Sequence, residues 1–260
     1  MATFKAHDQF DSYSINLNFY DRWFYEDVFL DDGYEALNGR TYQDVYAING
    51  YDGYNDLIIA FGGRGIGFDG LGNVNRGTVT GFVEGIFDGP DLWWAQGFSV
   101  SAVSLYRAAL TYGNADDRAV FASIMAGNDT ITLSAYNDRF EGWAGHDRMS
   151  GQGGNDTLLG GAGNDTANGG GGNDRLVGGE GHDRLIGATG NDTLDGGDRG
   201  RFNDDGDVDY FVFDTEYEDP QNDTILDFEA GLDKIVLCSE DNLVPIVKIH
   251  AGNYDTDGVR

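Results

Sequence analysis

A single cysteine, Cys238, stands among 260 residues, so neither an internal disulfide nor a cysteine metal cluster holds this chain together. Basic side chains are scarce as well: 16 Lys and Arg face 45 Asp and Glu, for a net charge of −29. That balance argues against a nucleic-acid or anionic-membrane partner and makes cations the natural one. No stretch reaches the ~18 consecutive apolar residues of a membrane span. Met1-Ala2-Thr3-Phe4-Lys5 also lacks the apolar core of a cleaved export signal. The four histidines, His7, His146, His182 and His250, include no HExxH pair, which excludes zinc-protease chemistry. GxSxG elbows, phosphate loops and dinucleotide fingerprints are missing too. These absences point away from an enzyme.

What the chain does have is glycine, 41 residues of it, and a strict cadence of acid. Asp129, Asp138, Asp147, Asp156, Asp165, Asp174, Asp183 and Asp192 stand nine residues apart. Neither a helix nor a strand keeps that beat, so the period belongs to a unit stacked along an axis. The frame is GGxGxDxUx with U apolar, as in Gly160-Gly161-Ala162-Gly163-Asn164-Asp165-Thr166-Ala167-Asn168. Paired glycines take positive φ and turn carbonyls toward an ion, while aspartate adds the charged oxygen that a hard cation requires. The candidate ligands for several calcium ions are therefore the eight aspartates with Gly145, Gly151, Gly154, Gly160, Gly163, Gly169, Gly172, Gly178 and Gly181, joined by Asn155, Asn164 and Asn173.

Two nonapeptides per turn would put alternate aspartates on opposite edges: Asp129, Asp147, Asp165 and Asp183 on one, Asp138, Asp156, Asp174 and Asp192 on the other. Rungs spaced at about 4.8 Å let one ion bridge successive loops, which predicts two ion rows. The slot two residues after each aspartate holds Ile131, Phe140, Met149, Leu158, Ala167, Leu176, Leu185 and Leu194, one inward side chain per repeat. Burying one leucine contributes roughly 1.5–3 kcal/mol, against about 9–18 kcal/mol to fix nine residues of backbone. The expectation is a repeat region that is disordered without calcium and folds on binding it. His146 and His182, each just before a beat aspartate, are expected to be solvent-facing loop substituents.

Along the chain, residues 1–98 read as an aromatic-rich β domain of short strands. Asp32-Gly33, Asn38-Gly39, Asn49-Gly50, Asp52-Gly53, Asp69-Gly70 and Asp88-Gly89 are its expected turns. Residues 99–126 read as a helical cap, with Ser99 or Ser101 capping a first helix and Asn114 with Asp117 opening a second over Val120, Phe121 and Ile124. Residues 127–199 are the repeats, and residues 200–260 read as closing strands. The beat fails at Arg201. Asp205, Asp207 and Asp209 mimic the start of an EF-hand, but Tyr210 stands where glycine is needed, which excludes that loop.

With these motifs the chain resembles the RTX, or hemolysin-type calcium-binding, family over residues 124–195. Asp209-Tyr210-Phe211-Val212-Phe213, Asn222-Asp223-Thr224-Ile225-Leu226-Asp227-Phe228 and Asp233-Lys234-Ile235-Val236-Leu237 are similar to the segment after the repeats in secreted members. The resemblance implies an all-β fold, a parallel β-roll with calcium between rungs. It further implies calcium-triggered folding outside the cell or at its surface, and export by type I secretion machinery that reads a carboxyl-terminal signal. Asn253 to Arg260 lack the apolar finish frequent in that family. Asp129, with Gly127 alone, and Asp138, with no preceding glycine, keep only part of the loop pattern.

Two functions follow. One is a secreted calcium-binding protein with a structural, adhesin-like role and an extracellular or cell-surface polysaccharide as partner. The alternative is the export and folding module of a secreted enzyme acting on polysaccharide or protein. Aromatics such as Phe19, Tyr20, Trp23, Phe24, Tyr25 and Phe29 fit a sheet core more readily than a glycan surface. The neighbouring acids Asp21, Glu26, Asp27, Asp31, Asp32 and Glu35 read as a solvated face rather than a glycosidase pair.

Overall fold

The structure is a computed structural model. It describes residues 1–7, 9–12, 23–30, 36–37, 40–41, 44–51, 56–68, 74–86, 91–108, 114–197, 206–214 and 222–238. The chain divides into two compact units, Met1–Ser134 and Ala135–Arg260.

The first unit contains β1 (Thr3–Ala6), β2 (Trp23–Leu30), β3 (Ala36–Leu37), β4 (Arg40–Thr41), β5 (Asp44–Tyr51), β6 (Asp56–Phe68), β7 (Val74–Ile86) and β8 (Asp91–Ser101). Then come α1 (Ala102–Ala108), α2 (Asn114–Ile124) and β9 (Thr130–Thr132). Its sheet runs β9-β1-β8-β7-β6-β5-β2, antiparallel except for the parallel pair of β1 with β9. The strands are longer than the turn dipeptides suggest: β6 and β7 have 13 residues each. Register shifts near Gly62 and Gly67 interrupt the ladder of this long pair. Asn49-Gly50 is not a turn. It lies inside β5, where Asn49 faces Ile58 and Gly50 faces Leu57, because pairing with β2 and β6 on both sides overrides the local preference. The other five dipeptides lie between strands, outside the described residues, as do Phe19, Tyr20, Asp21, Asp31, Asp32 and Glu35.

Ser101 ends β8 and accepts a hydrogen bond at Oγ from the Ser104 N–H, 3.4 Å, which satisfies an open donor at the start of α1. Val100 therefore belongs to β8. In α2, Phe121 and Ile124 are buried, and Phe121 meets Phe4 of β1 edge-on at 6.0 Å and Phe10 at 6.1 Å. Phe61 and Phe82 pair across β6 and β7 at 5.0 Å. Rings thus make this core.

β1 takes the place of a rung. Thr3, Phe4 and Lys5 pair in parallel with Thr130, Ile131 and Thr132. The Ala2 N–H donates to Asp129 Oδ1, and the Thr130 N–H donates to the Ala2 carbonyl. The edge of the first repeat strand is thus paired by the amino-terminal strand, with α2 packed behind it through Phe4 and Phe121.

The second unit is a parallel β-roll. It contains β10 (Arg139–Glu141), β11 (Arg148–Ser150), β12 (Thr157–Ala162), β13 (Thr166–Gly171), β14 (Arg175–Glu180), β15 (Arg184–Thr189), β16 (Thr193–Gly197), β17 (Tyr210–Asp214), β18 (Thr224–Ile225) and β19 (Lys234–Cys238). Successive strands alternate between two sheets, β11-β13-β15-β17-β19 and β10-β12-β14-β16-β18. Arg148 pairs with Thr166 and Thr166 with Arg184, so one turn is two nonapeptides. Phe140, Met149, Leu158, Ala167, Leu176, Leu185, Leu194 and then Phe211 fill the interior, each at most 1% exposed. The described carboxyl-terminal strands extend the two sheets: β17 pairs with β15, β18 with β16 and β19 with β17. Cys238 ends β19, and its side chain lies outside the described residues.

Candidate metal centre

Each turn of the roll brings the aspartates of one edge into a hydrogen-bonded ladder. The Asp138 N–H donates to Asp156 Oδ1 at 2.8 Å, Asp156 to Asp174 at 2.8 Å and Asp174 to Asp192 at 2.8 Å. On the other edge Asp147 donates to Asp165 at 2.7 Å and Asp165 to Asp183 at 2.7 Å. Oδ1 of Asp156, Asp165, Asp174, Asp183 and Asp192 is thereby spent on the preceding rung. The other oxygen is not: Oδ2 of Asp156, Asp165, Asp174, Asp183 and Asp192 is buried and, among the described residues, meets no hydrogen-bond donor. A buried carboxylate oxygen without a donor is costly unless a cation or a proton sits against it.

The glycines show what those oxygens face. A methyl carbon placed on Gly160 would come under 3.0 Å from both Asp165 Oδ2 and the Gly178 carbonyl. Gly151 stands in the same way between Asp156 Oδ2 and the Gly169 carbonyl, and Gly178 between Asp183 Oδ2 and the Gly196 carbonyl. Carboxylate and carbonyl oxygens from different rungs therefore converge where a side chain would otherwise stand. The second loop glycines, Gly145, Gly154, Gly163, Gly172 and Gly181, have positive φ and stack along the edges, the Gly145 carbonyl against Gly163 and the Gly154 carbonyl against Gly172. An all-oxygen donor set of carboxylates and carbonyls suits a hard cation of calcium size. Among the described residues no group of three or more His, Cys, Asp or Glu side chains forms a metal cluster, so the backbone has to supply much of the coordination.

Electrostatics agree with the geometry. Burial, reinforced by the charges of Asp174 and Asp138, pushes Asp156 up from 3.8 to about 7. Burial raises Asp165 to about 6. Asp192 rises to about 7 through burial and then the charges of Asp223 and Asp174. Asp183 rises to about 9 through burial and then the charges of Asp165, Asp209 and Asp207. A stack of acids held this way keeps part of its protons at neutral pH, and a counter-charge beside it would favour full ionisation.

The residues just before the aspartates form a second ladder, exposed at the rim. Asn137 Oδ1 accepts from the Asn155 N–H at 2.7 Å, Asn155 from Asn173 at 2.7 Å and Asn173 from Asn191 at 2.8 Å. Opposite, His146 Nδ1 accepts from the Asn164 N–H at 2.6 Å, and Asn164 Oδ1 accepts from His182 at 3.2 Å. Histidine replaces asparagine there because Nδ1 sits the same number of bonds from the backbone as Oδ1. The oxygens of Asn155, Asn164 and Asn173 are thus engaged with the next rung. Asp129 is buried in the first unit, where burial raises it, and its partner is the Ala2 N–H. Asp138 is buried as well, but Tyr136 stands at its loop position instead of glycine.

Residues 125–158, 150–185 and 177–198 match the family model of the RTX calcium-binding nonapeptide repeat, in 4 copies. The chain carries RTX repeats. No curated protein and no solved structure matches the chain. Calcium binding is the property these RTX repeats bring.

Three carboxylates that the nine-residue cadence does not reach occupy the same ladder. The Asp183 N–H donates to Asp209 Oδ1 at 2.8 Å, Asp192 to Asp223 at 2.9 Å and Asp209 to Asp233 at 3.0 Å. Their signal is the short pattern of aspartate, any residue, apolar residue: Asp209-Tyr210-Phe211, Asp223-Thr224-Ile225 and Asp233-Lys234-Ile235. Among the described residues this edge of the ladder ends at Asp233, whose Oδ2 takes the Glu229 N–H at 2.7 Å.

Proposed function

We propose that this is a secreted calcium-binding protein whose roll orders when it meets calcium outside the cell, with a structural, adhesin-like role. The observation that carries this reading is the row of bare, buried Oδ2 atoms. Asp156, Asp165 and Asp183 hold theirs beside a glycine carbonyl of the following rung. Bound calcium would supply the positive charge that lets consecutive carboxylates stay ionised in a dry row. The chain's own part is to present the donors: Oδ1 locks each aspartate to its neighbour's backbone, Oδ2 is left for the ion, and the side-chain-free glycines let the loops approach. The inward leucines align the rungs but offer only one apolar side chain per nine residues. Export outside the cell is supported by the usual setting of RTX repeats. The resemblance of residues 209–238 to the segment that follows the repeats in type I substrates supports that route.

The test is calcium uptake by equilibrium dialysis together with far-UV circular dichroism. The wild type is expected to bind several ions and to lose β signal on chelation. Asp165→Ala with Asp174→Ala is expected to bind fewer ions. An identical spectrum with and without chelator, or unchanged uptake in the double variant, overturns the reading.

A further inference from the structure

The repeat match ends at residue 198 and the nine-residue cadence fails at Arg201, yet the backbone assembles one more frame from two separated pieces. Gly196 and Gly197 supply the opening glycines, and Val208 to Phe211 supply the rest. Five relations of an intact repeat are reproduced. Gly196 stands against Asp209 Oδ2 as Gly160 stands against Asp165 Oδ2, each too close for a methyl carbon. Asp209 Oδ1 accepts the Asp183 N–H at 2.8 Å, as Asp183 Oδ1 accepts the Asp165 N–H at 2.7 Å. The Tyr210 N–H donates to the Asp183 carbonyl at 2.8 Å, as the Arg184 N–H donates to the Asp165 carbonyl at 2.9 Å. The Val208 N–H donates to His182 Nδ1 at 2.7 Å, continuing the rim ladder. Phe211 fills the inward slot and is fully buried.

What makes this frame a site and not only a rung is the oxygen it faces. Among the described residues Asp183 Oδ2 is buried without a donor, and the Gly196 carbonyl converges on it across Gly178. We propose that Asp183 Oδ2 and the Gly196 carbonyl form a calcium position at the junction of β15 and β17, with Asp209 supplying the second charge against Gly196. This position rests on the reading that the consensus carboxylates bind calcium. It differs from its neighbours in acidity: Asp207 replaces the second loop glycine and its Oδ2 accepts the Gly181 N–H at 2.9 Å, which adds a carboxylate at the rim. Higher ligand charge favours tighter calcium binding. Because β17 pairs with β15, and β19 with β17, filling this position orders the carboxyl-terminal strands as well.

The experiment uses the full chain. Calcium stoichiometry by equilibrium dialysis and hydrogen-exchange protection of Phe211 to Phe213 are measured for the wild type, Asp209→Asn, Gly196→Ala and Asp165→Asn. Asparagine keeps the acceptor for the Asp183 N–H and removes only the charge. Asp209→Asn is expected to raise the calcium concentration that protects β17 by about 10-fold, in keeping with the dependence of affinity on ligand charge. Gly196→Ala, which forces the loop off Asp209 without changing charge, is expected to lose one ion per chain and the same protection. If both variants match the wild type while Asp165→Asn loses calcium, the split repeat is overturned and the consensus sites stand. If Asp165→Asn also matches the wild type, the calcium reading of the consensus sites falls with it.

Discussion

Rings dominate the core of the first unit, whereas the second carries rows of buried acids. Phe4, Phe10 and Phe121 pack on one another within 4.7–6.1 Å, and Phe61 lies on Phe82, so Met1–Ser134 has the apolar contacts that drive folding in water. In Ala135–Arg260 each nonapeptide contributes one inward side chain and one buried carboxylate. The difference teaches where the ion matters. A core of rings needs no counter-charge, while a column of aspartates locked at Oδ1 and bare at Oδ2 does. Chelation is the largest perturbation of this contrast. Removing calcium is expected to abolish hydrogen-exchange protection across 157–197 while β6, β7 and β8 keep theirs. Equal loss in both units would erase the distinction.

Protons offer the same test from the other side. Asp156 and Asp192 sit at about 7 in the fold, Asp165 at about 6 and Asp183 at about 9, all above the ordinary 3.8. A carboxylate whose folded value is raised binds more protons folded than unfolded, so the ion-free fold loses stability as pH climbs from about 4 through about 9. Without calcium, the roll is therefore expected to show more β signal at pH ~4.5 than at pH ~8, by circular dichroism, with the first unit little changed. Calcium competes with those protons, so its affinity is expected to rise with pH over the same window. A chelated roll that gains order as pH rises would contradict the desolvated row.

The repeats were legible because their information is local and periodic. A nine-residue beat names both the acid and the inward slot two residues on, and Leu158, Leu176, Leu185 and Leu194 are all fully buried. What escaped reading is long-range. Ala2 joins Asp129 across 127 residues, and an alanine in the place of an aspartate carries no pattern. Asp209, Asp223 and Asp233 continue the ladder, yet residues inserted between rungs move them off the beat: Arg184 pairs with Tyr210, and Thr193 with Thr224. Asn49-Gly50 misleads for the opposite reason, since the turn preference was local and the pairing on both sides of β5 was not.

Single core substitutions sharpen the comparison further. Phe121→Ala is expected to cost the first unit roughly 3–5 kcal/mol, and Leu176→Ala to cost the roll roughly 2–5 kcal/mol. Their calcium dependence separates them. Added calcium stabilises whatever binds it, so raising its concentration is expected to restore the melting temperature of Leu176→Ala and to leave the Phe121→Ala defect of the first unit in place. Equal rescue of both would show that the ring core also answers to the ion.

The smallest expected effect lies in the loops. Trp143, Gln152 and Ala188 occupy the place four residues before their aspartates, at φ of 66°, 75° and 71°, where the intact frames have Gly161, Gly170 and Gly179. A side chain in the left-handed region costs roughly 1–2 kcal/mol, whereas glycine gives back about 0.5–1 kcal/mol through its freer unfolded chain. Ala188→Gly is therefore expected to stabilise the roll by up to about 1 kcal/mol, read as a small rise in melting temperature at saturating calcium. The reverse change is far from symmetrical. A methyl carbon on Gly161 would run into the Trp143 carbonyl, so Gly161→Ala adds a steric collision to the dihedral strain and is expected to destabilise by more than Ala188→Gly gains. Should the two changes cancel in magnitude, strain alone would govern the loop, and the close stacking of rungs that sets the roll apart from the ring core would not be limiting there.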